Sequence, residues 1–135
     1  MRIMAIDYGD AHTGIAVSDP TGLLAGFTTV ITAYRPEAVA QRVAELAKEH
    51  GAEELVLGHP VNMDGTLGPR SEKANAMKGL LEEATGLPVV LWDERRTTVD
   101  AHRILSEQNY HGKKRRNTVD AVAAALILEG YLRSL

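Results

Sequence analysis

The sequence predicts an α/β domain: a mixed five-stranded sheet with helices on both faces. Two observations carry that prediction. The first three apolar runs are separated by turns too short for a crossover helix, which makes them an antiparallel meander. The later runs alternate with helical patterns, which makes those strands parallel. The element order is β-β-β-α-β-α-β-α-α. The chain has 135 residues, a length that fits one domain over residues 1–135 and buries a core without staples.

Arg2 to Tyr8 reads as a strand buried on both faces, because its apolar run is continuous rather than alternating. Gly9 to Thr13 is a turn, Gly14 to Ser18 a second strand, and Gly26 to Thr32 a third. Pro36 opens a helix to His50, with Val39, Val43, Leu46 and Ala47 along one face. Gly51 ends it. Glu54 to Gly58 is the fourth strand. The next stretch, "HPVNMDGTLGP", is a loop rich in turn residues. A helix from Arg70 to Thr85 follows, closed by Gly86, and then a fifth strand, Pro88 to Trp92. Thr97 to Ser106 is a short helix. Gln108 to Arg116 is expected to be a polar, basic loop. Asn117 or Thr118 caps a last helix to Leu132.

There is no cysteine, so disulfides and thiolate metal sites are excluded. No signal peptide or membrane-length apolar run is visible, and a soluble cytoplasmic protein is expected. The net charge of -3 is unevenly spread. Residues 1–94 hold 7 basic and 14 acidic side chains, and residues 95–135 hold 8 basic and 4 acidic. The basic C-terminal part points to an anionic partner.

Three acids stand at places where a lone carboxylate is expensive or convergent. Asp7 ends the first strand, which should be central. Asp93 and Glu94 end the fifth strand, and the period-two alternation of a strand lets only one of them face a common site. Asp120 is expected in the first turn of the last helix, where the dipole favours an acid. Ala121, Ala123, Ala124 and Ala125 let that helix lie close on the sheet and bring Asp120 to the strand ends. Such an oxygen-rich cluster suits Mg²⁺ or Mn²⁺. Two such ions can clamp the oxygens of an in-line phosphoryl displacement.

Basic groups lie near those acids. Arg70 opens a helix after a loop containing Asn62, Asp64, Gly65 and Gly68, where an anion is attracted. Lys113, Lys114, Arg115 and Arg116 lead into the Asp120 helix and read as a grip on a phosphate backbone. Tyr110 is the only aromatic near that run, so base stacking there has little support.

Four blocks, "AIDYGDAHTGIAVSD", "GHPVNMDGTLGPRSEKA", "DERRTTVDA" and "KKRRNTVDAVAAALIL", resemble the YqgF (RuvX) family over nearly the whole chain, in order. That family has an RNase H-like fold. It is described as Holliday-junction resolvases, or as nucleases that mature the 5′ end of pre-16S ribosomal RNA. The resemblance implies that Asp7, Glu94 and Asp120 are the metal-binding acids, with Glu94 preferred over Asp93. It also places Arg95 at the scissile phosphate. Thr97 and Thr98 are read as caps of the next helix. Resolvases of the RuvC type carry an acid at the end of the fourth strand, where this chain has Gly58, His59 and Pro60. The second carboxylate must then come from the fifth strand. His59 is expected to be a loop residue rather than a ligand.

The function expected is a metal-dependent endonuclease acting on structured nucleic acid, with pre-ribosomal RNA or branched DNA as substrate and a homodimer as a possible assembly. Two other readings stand beside it. One is a nucleotide-binding ATPase or kinase using "DYG" for phosphate, a fold expected to need a second domain. The other is a nucleic-acid-binding or assembly protein that does not cut.

Overall fold

The computed structural model of the chain describes residues 2–22, 25–59, 69–93 and 112–135. The elements are β1 (Ile3–Asp7), β2 (His12–Ser18), β3 (Ala25–Thr32), α1 (Pro36–His50), β4 (Glu54–His59), α2 (Pro69–Thr85), β5 (Val89–Asp93) and α3 (Gly112–Ser134). One five-stranded sheet has the order β3-β2-β1-β4-β5. β1 is antiparallel to β2 and parallel to β4, and β4 is parallel to β5. The mixed sheet expected from the connection lengths is the one found.

β1 is central, and that explains its unbroken apolar run. Side chains alternate across a strand, and here both faces are covered. Met4 and Ile6 join Ile15, Val17, Leu55 and Leu57 under α1 and α2. Ile3 and Ala5 join Ala16 and Val56 under α3, which supplies Ala124, Ile127 and Leu128. α1 starts at Pro36, and Gly51 follows it in the left-handed region with φ 67°. The Ala52 N–H donates to the Ala47 carbonyl at 2.9 Å, closing the last turn.

Among the boundaries that differ from expectation, three bear on the site. β2 begins at His12, because its ladder with β3 runs on to the His12–Thr32 pair, and Thr13 is fully buried there. β4 includes His59, in register with Asp93, so His59 is a strand residue and not a loop residue. The last helix begins at Gly112, not after Asn117 or Thr118. Lys113 to Arg116 are therefore helical, as suits good helix formers. Asp120 lies beyond the first turn, where the helix dipole no longer helps it. The loop after β4, from Pro60 to Gly68, and the expected Thr97–Ser106 helix lie outside the described residues.

Candidate functional site

Asp7 is the last residue of β1. Its parity with Ile3 and Ala5 gives it the α3 face of the sheet. Across the ladder it pairs with Gly14 of β2. On the other side Ile6 is in register with Leu57, so the next step along β4 is Gly58. Both strands flanking Asp7 thus carry glycine beside it, on the face that Ala16 and Val56 share with α3. The turn that follows is tight: a Cβ on Gly9 would meet the His12 carbonyl oxygen at 2.3 Å.

Asp93 is the last residue of β5. Leu91 packs on the α1–α2 cluster and Trp92 on the α3 cluster. Asp93 is the next strand residue, so alternation gives it the α1–α2 face, away from Asp7. Its register partner His59 lies on that face too, where the imidazole Nε2 is 2.6 Å from the Ser71 hydroxyl of α2. Glu94 and Arg95 lie outside the described residues.

For Asp120 the backbone supplies a placement. Position 120 precedes Ala124 by four residues and Ile127 by seven, which is the stripe of α3 that faces the sheet. Near the other end of α3, Tyr131 donates a hydrogen bond to Glu54, the first residue of β4. The helix packs most closely on β2, then on β1 and β3, and least on β4. The side chains of Asp120, Arg70 and Lys113 to Arg116 lie outside the described residues; their backbones are helical.

Among the described residues no three acid or histidine side chains converge as a metal site. What can be tested is the donor Asp7. It is a hard oxygen donor at the end of a rigid central strand, with glycine on each side, and it fits a hard divalent cation. No nitrogen- or sulfur-selective metal is suggested by such a donor.

Two features were not read from the sequence. The Lys73 ammonium of α2 lies 3.1 Å from the Asp10 carboxylate in the turn after β1. Lys73 stands three residues after Arg70, one helical turn on, and that spacing was the available signal. The second is Tyr8, which follows Asp7 on the opposite face and packs against the α1–α2 cluster. Burial, and then the nearby Asp10 carboxylate, push its phenol above the ordinary value.

Comparison with known proteins gives a consistent set. The family described as "RuvX: Holliday junction resolvase" matches residues 1–134. A protein of Pelotomaculum thermopropionicum named "Putative pre-16S rRNA nuclease" is 44% identical over 135 residues, covering 99% of this chain and 88% of that one. One of Halothermothrix orenii with the same name is 44% identical over 132 residues, covering 98% and 94%. Among solved structures, T. thermophilus RuvC in complex with a Holliday junction substrate aligns with a TM-score of 0.63 at 18% identity, over 99% of this chain and 96% of that one. The Fowlpox virus resolvase, bound to Holliday junction DNA, aligns at 0.55 and 12% identity, over 99% and 98%. At such identities the likeness is one of fold.

Proposed function

Since the chain belongs to the RuvX family, we propose that it is a metal-dependent endonuclease that hydrolyses phosphodiester bonds in structured nucleic acid, and that its substrate is the 5′ end of pre-16S ribosomal RNA. One observation of the fold supports the reading above others: Asp7 ends the central strand with glycine at the adjoining positions of both flanking strands, on the face covered by α3. A carboxylate that served the core alone would not need glycine on both sides. The RNA substrate rests on the name carried by the relatives at 44% identity.

In this reading Asp7, Glu94 and Asp120 hold Mg²⁺ or Mn²⁺. Alternation sends Asp93 to the far face, which supports Glu94 as the second acid of the proposal. When bound, the ion supplies positive charge at the phosphate and a water acidic enough to attack it. The protein's own groups do the rest. Asp7 anchors the site to the rigid core. Arg95 offsets charge on the scissile phosphate. Arg70 and the basic turns of α3 hold the flanking backbone. No described helix is long and apolar enough to cross a membrane, and action in the cytoplasm is part of the proposal.

The second reading, cleavage of branched DNA, uses the same acids and is favoured by the family description. Resolving a four-way junction takes two cuts, so that reading goes with a homodimer. Labelled pre-16S RNA and a labelled four-way DNA junction, incubated side by side with Mg²⁺ or Mn²⁺ and with an EDTA control, test both. Metal-dependent cuts in the RNA alone support the first reading, and cuts in the junction alone support the second. No cleavage of either leaves the non-cutting assembly protein.

A further inference from the structure

We propose that the cavity on the α1–α2 face beside Tyr8 is a pocket for an unpaired guanine base of the substrate strand. The proposal deepens the nuclease reading and rests on it for the kind of ligand. The cavity has a volume of about 430 Å³ and is lined by Tyr8, Asp10, Tyr34, Glu37, Lys73 and Met77, among others. A space of that order accepts a small aromatic ligand.

The walls match a base better than a phosphate. Tyr34 is 76% exposed, so its ring does little for the core. Among the described residues only Phe27 and Leu135 are other large exposed apolar side chains; Phe27 is stacked on His50 with ring centroids 4.4 Å apart, and Leu135 is the last residue. Tyr34 is thus the ring left to offer a stacking surface, and stacking on aromatic side chains is how unpaired bases are held. Met77, 1% exposed, closes the floor. Two carboxylates, Asp10 and Glu37, face one ammonium, Lys73, so the net charge of the lining repels backbone phosphate.

That same set complements one base. The Watson–Crick edge of guanine carries an acceptor, O6, beside two donors, the N1–H and the 2-amino group. Lys73 can donate to O6, and the carboxylates can accept from the two donors. The Lys73–Asp10 contact of 3.1 Å already holds donor and acceptor side by side. Adenine presents an acceptor at N1 and would face the carboxylates lone pair to lone pair. A paired guanine has its edge occupied, so the pocket selects an unpaired one. Tyr8 is the residue after Asp7, on the other face of the same strand end. A strand passing over the carboxyl end of β1 can reach Asp7 and this pocket together.

The test measures binding and cleavage separately. The full chain in EDTA is titrated by fluorescence anisotropy with a short single-stranded RNA bearing one guanine, and with the same RNA bearing inosine or adenine there. The guanine RNA should bind roughly tenfold more tightly. Tyr34→Ala should weaken all three by about tenfold, as removal of one stacking ring does. Glu37→Gln should erase the preference for guanine over inosine while sparing the adenine RNA. Equal affinities for the three RNAs, unmoved by Tyr34→Ala, overturn the proposal. Cleavage of pre-16S RNA by the wild-type chain with Mg²⁺ is scored independently. Guanine preference without cleavage removes the nuclease reading and keeps the pocket; cleavage without preference removes the pocket alone.

Discussion

Asp7, the last residue of β1, stands opposite Gly14 of β2 in the antiparallel ladder. The pair puts a carboxylate beside a position with no side chain, on the face that α3 covers. If that space admits a metal ion and a phosphate, filling it should block cleavage. Gly14→Ala adds one methyl group beside the carboxylate. It should slow cleavage by about tenfold or more, since small displacements of reacting groups are costly. Thermal melting should confirm that the variant folds. Unimpaired cleavage by a folded variant would mean that the chemistry does not occur beside Asp7.

Asp93, the last residue of β5, and Glu94, the next residue in the chain, should separate in the same assay. Asp93 shares a face with His59 and α2, away from Asp7. Glu94→Gln should abolish cleavage, whereas Asp93→Asn should be mild, within a fewfold of wild type. The reverse order would move the ligand to Asp93 and require the pleat to break before it.

The basic run at the start of α3 is helical, and that changes what its removal should do. Successive helix positions are about 100° apart, so positions 113 to 116 are spread around most of a turn. Only positions 113 and 116, three apart, fall on one side of it. Changing all four to Ser should reduce the slope of log K against log salt by about 1 to 2, at roughly 0.7 to 0.9 for each phosphate no longer neutralised. Titrations at several salt concentrations read it directly. A drop near 3 would mean that all four reach the backbone, and no change would leave Arg70 and Arg95 as the grip.

Tyr131 ties the C-terminal end of α3 to the start of β4. Its hydrogen bond to Glu54, then burial, push the phenol up to about 12 from an ordinary 10.0. A folded value above the unfolded one means that this stabilisation is complete below pH 10 and is lost as pH rises through 12. Tyr131→Phe should cost about 1 kcal/mol at neutral pH. It should also flatten the fall in stability across that alkaline window. Urea melts at neutral pH and at steps through the window, with the wild type in parallel, check both statements; equal slopes would show that the phenol carries none of the dependence.

Much of the fold was legible because local patterns and packing agree. The unbroken run Ile3 to Ile6 belongs to a strand that is covered on both faces, and Gly51 adopts the left-handed cap its position suggested. The start of β2 was missed because His12 and Thr13 look like turn residues, and only pairing with β3 makes them strand. The start of α3 was missed because a run of positive charge reads as loop, although each residue favours helix on its own. The acids of β5 show the limit most clearly. Period two says that one of a neighbouring pair faces the site, but the phase comes from what Leu91 and Trp92 touch. The Lys73–Asp10 pair joins residues 63 positions apart in the chain, a contact that depends on how α2 lies against the turn after β1.

The most direct measurement is metal-dependent cleavage by Asp7→Asn, with binding to the same labelled pre-16S RNA followed in parallel. The change is nearly isosteric and leaves the apolar face of β1 untouched, so the variant should fold and bind. The metal-site account predicts wild-type affinity with cleavage abolished. Cleavage at the wild-type rate by a folded Asp7→Asn chain would contradict it.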